Sequence, residues 1–159
     1  MHKNYSIPLA SLPFEKHRCR SAAISCIDFR FLDADRQFIH SLTEGNFDHI
    51  KIAGAGKILL AGSPLRGEIT NTIRNVCVKL HGITELIVLN HWDCGAYGSS
   101  KSFSSPQEEE ERHIRDLTEV RSFLHSEFPS LAIIVGYSTV TGGQLEYRLV
   151  EHNGAPGNR

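Results

Sequence analysis

Short runs of β-branched and other apolar residues alternate along the chain with longer segments of helical period. This order is typical of βαβ units, in which parallel strands form the sheet and helices cover it. The pattern predicts strands over residues 22–28, 49–53, 85–90 and 131–137, followed by an edge strand in QLEYRLV after the reversal at Gly142-Gly143. The predicted fold class is α/β, a mostly parallel sheet flanked by helices with an antiparallel C-terminal edge strand.

The first two predicted helices follow the first two strands. Asp33 is a suitable N-cap for a helix that runs to about residue 44. The second helix covers residues 65–80, and its apolar residues recur at steps of three and four, which predicts one face packed on the sheet. These residues are Ile69, Ile73, Val76, Cys77 and Leu80. Gly82 is expected to end this helix.

A third helix is predicted after a serine-rich loop over residues 99–105. Ser105 fits the N-cap, Pro106 the first helical position and Glu108 the third. The acidic run 108–111 is expected to be a solvated first turn, and His113 and His125 are expected to be surface residues. The predicted buried face consists of Ile114, Leu117, Val120 and Leu124.

Length and composition indicate an ordinary folded protein. The 159 residues suit a single α/β domain over 1–159, with an N-terminal arm over 1–20 and a loose tail over 153–159. A hydrophobic fraction of 40% and a net charge of -1 show no bias towards nucleic acid or anionic membrane. Because the sequence has neither a membrane-length apolar run nor a secretory-signal pattern, a cytoplasmic location without membrane partners is expected.

Two short motifs carry the candidate chemistry. Cys26-Ile-Asp28-Phe-Arg30 ends the first predicted strand, and His91-Trp-Asp-Cys94-Gly95 follows the third. Ligands of open α/β sheets bind outside the carboxyl ends of strands, so the two motifs are expected to meet there. Two thiolates and one imidazole with an open fourth position suit zinc. The sequence therefore predicts a Zn²⁺ ion bound by Cys26, His91 and Cys94.

Asp28 and Arg30 are the candidate acid-base partners of this metal. If the chain stays extended, they project to the same side as Cys26. Two thiolates leave zinc a weaker Lewis acid than neutral imidazoles would, so a carboxylate that orients bound water and takes up its proton is useful. Arg30 could hold Asp28 in that position through paired hydrogen bonds. If Arg30 released it, Asp28 could instead fill the fourth zinc position as an off state, and the sequence leaves both states open.

The remaining cysteines and the glycine-rich turn have simpler interpretations. Cys77 is on the apolar face of the second helix and is expected in the core, whereas Cys19 is interpreted as an incidental thiol. The segment Gly54-Ala-Gly56-Lys57 lacks the spacing of a phosphate-binding loop. It is expected to be a close-packed turn beside the metal.

Together the two motifs resemble the signature pair of the β-class carbonic anhydrases, and the resemblance extends from about residue 22 to residue 150. It implies that Cys26, His91 and Cys94 bind zinc, that Asp28 and Arg30 form a dyad beside it, and that the reaction is the reversible hydration of carbon dioxide to bicarbonate. On this hypothesis the backbone amide near Gly95 helps to hold bicarbonate. The family further implies a homodimer or a larger assembly of dimers, with the cleft lined partly by the neighbouring subunit.

Two alternatives remain. Phe29 stands where the family usually has serine, and its ring could narrow the pocket, as expected for a relative that hydrolyses carbonyl sulfide or carbon disulfide at the same site. The second alternative is a non-catalytic zinc protein, in which the metal fastens two strand ends and the surface serves assembly or regulation.

Overall fold

The computed structural model describes residue 8, residues 17–43 and residues 45–150. Its five strands form one sheet in the order β2-β1-β3-β4-β5, with the first four parallel and β5 antiparallel to β4. The strands are β1 Ser21–Ser25, β2 Phe47–Lys51, β3 Glu85–His91, β4 Ala132–Thr141 and β5 Gln144–Leu149. The predicted fold class is confirmed. Most of the predicted N-terminal arm and all of the predicted tail lie outside the described residues.

The sheet separates two apolar layers. On one face α1 (Leu32–Thr43) packs through Ile39 against Ala23, Ile87 and Leu89. On the other face α2 (Arg66–Thr72), its π-helical continuation Ile73–Val78 and α3 (Pro106–Glu127) cover the alternate residues of the same strands. This alternation is what a sheet buried on both faces requires. None of the described helices is long and apolar enough to cross a membrane.

The strand order creates a switch point between β1 and β3. After β1 the chain crosses one face through α1 to reach β2, whereas after β3 it crosses the opposite face through α3 to reach β4. The two connections therefore diverge at the carboxyl ends of β1 and β3 and leave a crevice between them. Both chemical motifs begin at these two strand ends.

Several element boundaries differ from the predictions. β1 ends at Ser25 and not at residue 28, because Asp28 starts a 3-10 turn over Phe29–Phe31 that leads directly into α1. Asp33 consequently lies inside the first turn of α1 and is not its N-cap. β2 covers Phe47–Lys51, two residues earlier than predicted. Glu44, near the predicted end of α1, lies outside the described residues.

The second helix is not a regular α-helix throughout. Its last part, Ile73–Val78, has π-helical geometry, which widens the turn and changes which side chains face the sheet. Ile73 and Cys77 are buried as predicted, but Val76 and Leu80 are 40% and 52% exposed, so their predicted burial is wrong. Gly82, with φ of 72°, ends the segment as predicted.

The third helix begins as predicted and buries an unexpected set of residues. Ser105 caps it by accepting a hydrogen bond from the Glu108 amide at 3.1 Å. Three of the four predicted core residues are buried, but Ile114 is 38% exposed. The buried stripe continues towards the N-terminus with polar residues, since Glu109 and His113 are 1% and 0% exposed. The prediction of a solvated acidic turn is therefore wrong at Glu109, although Glu108 and Glu111 are exposed, and the prediction of a surface His113 is wrong.

Candidate metal centre

Cys26, His91 and Cys94 meet at the switch point. Cys26 follows the last residue of β1, His91 is the last residue of β3, and Cys94 lies in the turn that follows. One donor atom from each lies within 4.8 Å of the others, and the three side chains are buried. The two sulfur atoms are 3.9 Å apart. The structure thus brings together, from separate segments, the three residues that were predicted to bind the metal.

The hydrogen bond of His91 fixes which nitrogen faces the cysteines. His91 Nδ1 is 2.7 Å from the Trp92 carbonyl oxygen, and a carbonyl only accepts, so Nδ1 carries the proton. Nε2 is then the nitrogen left to bind a metal, and this buried atom has no hydrogen-bond partner among the described residues. A buried ring nitrogen in this state is the ordinary form of a metal-binding histidine.

The two thiols are electrostatically coupled. The hydrogen bond shared with Cys94 lowers the pKa of Cys26, and the Gly54 amide adds a contact at 3.5 Å to the same sulfur. The same shared hydrogen bond, together with burial, raises the pKa of Cys94. One negative charge is therefore favoured on Cys26, and a divalent cation would displace the second proton.

These donors fit zinc. Tetrahedral zinc with Zn–S bonds of about 2.3 Å places two sulfur ligands about 3.8 Å apart. The observed separation of 3.9 Å is close to this value. The unpartnered Nε2 of His91 supplies the third donor without a change of tautomer. Because the sulfur–sulfur distance already suits the metal and Nε2 of His91 is unpartnered, the cluster can hold zinc with one position left for another ligand.

A close-packed turn borders the cluster, as the sequence indicated. Gly54 has φ of 81°, and a Cβ atom added there would lie 2.9 Å from the Cβ of Ala96. The next glycine, Gly56, donates its amide to Asn90 Oδ1 at 2.9 Å. The turn can approach the sulfur of Cys26 because Gly54 has no side chain.

Asp28 is held by Arg30 in a fork beside the cluster. Arg30 Nε donates to both carboxylate oxygens at 3.1 Å, and Nη2 donates to Oδ2 at 2.6 Å. The backbone amide of Arg30 donates to Oδ1 at 3.0 Å. These hydrogen bonds lower the pKa of Asp28 to about 2, so the carboxylate is ionised at neutral pH. Asp28 caps the 3-10 turn that contains Arg30, and this turn brings the two side chains together. The prediction that the chain stays extended from Cys26 to Arg30 is therefore wrong.

Arg30 is also anchored on its other side, to a residue that the sequence reasoning left without a role. Arg30 Nη1 donates to Asp93 Oδ2 at 2.8 Å, and Nη2 donates to the Asp93 carbonyl oxygen at 3.1 Å. Asp93 has a left-handed backbone, with φ of 54°. Arg30 therefore links the motif after β1 to the motif after β3.

Glu109 of α3 holds Asp93 in turn. Its carboxylate accepts hydrogen bonds from the Asp93 amide and the Ser100 hydroxyl, both at 2.7 Å. Glu109 is 1% exposed. Sequence reasoning assigned it to the solvated acidic run, although one signal was present. Glu109 and His113 precede the stripe Leu117, Val120 and Leu124 at the same helical steps, which places them on the buried face.

A second buried polar group lies behind Cys94. Asn90 Nδ2 donates to His113 Nδ1 and to Tyr97 Oη, each at 3.1 Å. Burial, with the neighbouring His91 and Arg112, lowers the pKa of His113 to about 3, so its ring is neutral. The rings of Tyr97 and Tyr137 lie 4.1 and 4.7 Å from it. This neutral group supports the turn that carries Cys94 without adding charge near the thiols.

Gly95 and Phe29 both lie at the surface. Gly95 is exposed and begins a 3-10 turn over Gly95–Tyr97, and a Cβ atom added to it would meet nothing within 4 Å. Phe29 is 84% exposed. The expectation that its ring narrows the pocket is therefore wrong within one chain, because the 3-10 turn directs it into solvent while Phe31 packs on His91 at 4.1 Å.

Comparison with known sequences places most of the chain in one family model. A model described as "Putative carbonic anhydrase" matches residues 16–146. An uncharacterized protein of Rickettsia bellii is 30% identical over 115 residues, which span 69% of this chain and 70% of that protein. An uncharacterized protein of Rickettsia conorii is 28% identical over 115 residues, spanning 69% of this chain and 62% of that protein.

Comparison with solved structures agrees on the fold. The crystal structure of beta-carbonic anhydrase isoform I from Trichomonas vaginalis superposes with a TM-score of 0.51, and the match covers 84% of each chain. The two sequences are 15% identical. At that identity the similarity concerns the architecture, which is the mostly parallel sheet with an antiparallel edge described above.

Proposed function

This chain belongs to the putative carbonic anhydrase family, and we propose on that premise that it catalyses the reversible hydration of carbon dioxide to bicarbonate. The proposal assigns Cys26, His91 and Cys94 as the ligands of a catalytic Zn²⁺ ion. The observation that carries it is their convergence at the switch point with an Arg30-bound Asp28 beside them. When bound there, zinc supplies the Lewis acidity that activates water towards an electrophilic carbon.

Asp28 orients the reacting water in this proposal. Its carboxylate is ionised and its side chain is 15% exposed, so an oxygen that Arg30 holds in place can also accept a hydrogen bond from water and fix its direction. A carboxylate whose pKa is about 2 holds a proton only briefly. Asp28 therefore passes the proton on to solvent or buffer.

Arg30 and Gly95 complete the proposed site. Arg30 is held by Asp28 and Asp93 at once, which keeps the fork in one position during the reaction. Such preorganisation is what makes a positioned proton acceptor effective. The backbone amide of Gly95 holds bicarbonate, and its exposed position leaves room for the anion.

The test uses zinc-loaded protein and stopped-flow hydration of carbon dioxide across a range of pH. Asp28→Asn keeps the shape of the side chain and removes its charge, and we expect a loss of about 10²-fold or more in kcat/KM with unchanged zinc content. Asp33→Asn is the matched control, because Asp33 is an exposed aspartate in α1, and it should behave as the parent. An Asp28→Asn protein with full activity would reject the proposed role.

The same preparation distinguishes the alternatives. Release of sulfide from carbonyl sulfide without carbon dioxide hydration would identify a hydrolase. A zinc-loaded protein inactive towards both substrates at every pH would identify a non-catalytic zinc protein. The exposed position of Phe29 removes the reason for favouring the sulfur substrates within one chain.

We propose further that the protein forms homodimers through the surface around this site. Three apolar side chains follow β1 and are exposed in the chain: Ile27 by 58%, Phe29 by 84% and Leu32 by 46%. Several exposed apolar side chains in one short segment beside a cleft are typical of surfaces that pack on another protein. This supports an arrangement in which the neighbouring subunit lines part of the cleft.

A further inference from the structure

A second group of potential metal ligands lies at the amino-terminal ends of the parallel strands, opposite the ends that carry the first cluster. Cys19 precedes β1, Asp48 is the second residue of β2, and His81 follows the π-helical segment. One donor atom from each lies within 4.8 Å of the others. β1 separates this group from Cys26, and five residues at about 3.3 Å each correspond to a distance of roughly 17 Å. The two groups are therefore separate.

Short contacts hold the three residues together. His81 Nδ1 lies 2.9 and 2.8 Å from the two carboxylate oxygens of Asp48. The Cys19 amide donates to the His81 carbonyl oxygen at 3.2 Å, which joins the segment before β1 to the segment before β3. The Cys19 thiol lies 3.4 Å from the Ser21 carbonyl oxygen. The backbone thus fixes two of the ligands, and β2 fixes the third.

We propose that Cys19, Asp48 and His81 bind a second divalent ion of the zinc class. Nitrogen and oxygen ligands at about 2.0–2.1 Å from tetrahedral zinc lie about 3.3 Å apart. The observed nitrogen–oxygen distances of 2.8 and 2.9 Å need to widen by only a few tenths of an ångström. One thiolate and one carboxylate balance the charge of the ion, and zinc displaces the thiol proton of Cys19 on binding. It also takes the place of the proton that Nδ1 of His81 donates to Asp48, so the metal-bound neutral ring carries its proton on Nε2.

Partial exposure distinguishes this site from the first. The side chains of His81 and Asp48 are 22% and 23% exposed, so solvent can reach the ion and fill a fourth position. The three ligands come from three separate segments. The ion therefore joins these segments at the amino-terminal ends of the strands and has a structural role. It exchanges with solvent more readily than an ion bound by the buried first cluster.

Metal content provides a test that does not depend on carbon dioxide hydration. The full chain is depleted of metal under reducing conditions, reloaded with Zn²⁺ alone, and analysed for bound metal per chain. We expect about two zinc ions in the parent and about one in Cys19→Ser, in His81→Gln and in Cys94→Ser. His125→Gln, at an exposed histidine on α3, is the matched control and should keep both ions.

Cobalt then identifies the thiolate at the second site. A Cys26→Ser/Cys94→Ser protein loaded with Co²⁺ should keep a thiolate-to-cobalt absorption band, and adding Cys19→Ser should remove it. A parent that binds one zinc, which Cys94→Ser loses, would overturn the proposal and leave a hydrogen-bonded Asp48–His81 pair beside a thiol. Two zinc ions retained in Cys19→Ser would also overturn it. If Cys19→Ser fails to fold, Asp48→Asn preserves the side-chain shape and tests the same ligand set.

Discussion

At the scale of single residues, a relay of hydrogen bonds runs from α3 to the candidate metal centre. Glu109 holds the Asp93 amide, Asp93 holds Arg30, and Arg30 holds Asp28. Only the last pair was predicted from sequence spacing. The relay means that a helix without a ligand of its own can position the acid-base partner of the site.

Replacing Glu109 tests this relay. Glu109→Ala leaves the Asp93 amide without its buried acceptor, which should lower the free energy of unfolding by about 1–3 kcal/mol. Carbon dioxide hydration should fall as Arg30 loses its anchor, and Glu109→Gln should restore part of both. Urea unfolding and stopped-flow assays provide the measurements. Glu111→Ala, at an exposed position of the same acidic run, is the control, and an equal effect there would argue against the relay.

The Asp28–Arg30 pair predicts a pH dependence of stability. Arg30 holds the pKa of Asp28 at about 2, below its ordinary value of 3.8, so the pair stabilises the fold above pH 3.8 and loses that effect as pH falls through 2. Arg30 is 43% exposed, so the contribution is about 1 kcal/mol or less. Urea midpoints of the parent and Arg30→Ala should differ near neutral pH and converge at low pH. A constant difference would show that Arg30 stabilises by packing.

Gly95 offers a test of a backbone amide. Gly95→Ala adds a methyl group that meets nothing within 4 Å, so stability and activity should be unchanged. Gly95→Pro fits the first position of a 3-10 turn and follows Cys94, whose ψ of 120° is compatible with proline. It removes the amide hydrogen and adds a ring whose Cβ meets nothing within 4 Å, so weaker bicarbonate inhibition is expected at unchanged zinc content. Equal bicarbonate affinity in both variants would exclude the amide as a ligand.

At the scale of elements, the site depends on loops that approach closely at two strand ends. The turn at Gly54 reaches the sulfur of Cys26 because β2 lies beside β1 in the parallel register. The 3-10 turn after β1 and the turn after β3 face each other across the crevice. Their short lengths make the positions of Cys26 and Cys94 sensitive to any added side-chain volume.

Gly54→Ala tests the close approach. The new methyl group needs a left-handed backbone and would lie 2.9 Å from Ala96 Cβ. Gly62→Ala is a matched control, because Gly62 also has φ of 81° but a Cβ atom there meets nothing within 4 Å. Both should lose about 1 kcal/mol from the backbone, and Gly54→Ala about 1–3 kcal/mol more, with weaker zinc binding. Equal unfolding midpoints would contradict the proposed contact.

At the scale of the whole molecule, the two ends of the sheet have different proposed tasks. The proposed catalytic zinc lies at the carboxyl-terminal ends of the parallel strands, and the proposed structural ion lies at their amino-terminal ends. The exposed side chains of Ile27, Phe29 and Leu32 follow β1 directly, in the segment that also carries Asp28 and Arg30. Their exposure in one chain is explained if a second copy covers them.

A charged side chain placed among the exposed apolar residues after β1 should separate the subunits. Phe29→Glu is expected to convert a dimer into monomers with little loss of monomer stability, because Phe29 is 84% exposed. Sedimentation velocity measures the change, and activity should fall if the neighbouring subunit lines the cleft. Leu65→Glu, at a 43% exposed position before α2, should remain dimeric. A monomeric parent protein would reject the proposed homodimer.

The predictions from sequence succeeded where local pattern fixes structure. Alternating and helical periods gave the α/β class, and the cap at Ser105 started α3 as predicted. The predicted burial of Val76 and Leu80 was wrong, because a π-helical turn cannot be recognised from apolar spacing alone. Phe29 was misplaced for a related reason, since the chain leaves β1 earlier than its apolar pattern suggests. The single-domain assignment stays a prediction.

The sequence by itself determined the order of the strands along the chain, the type of sheet and the two motifs at strand ends, since these depend on residue type and short-range spacing. Only the tertiary structure decided which distant groups meet. Glu109 reaches Asp93, and His81 reaches Asp48 across 33 positions, through strand order and helix packing that local sequence does not encode. The physical reason is that a contact between distant residues depends on the burial and packing of the whole fold, whereas periodicity and capping depend on neighbours in the chain.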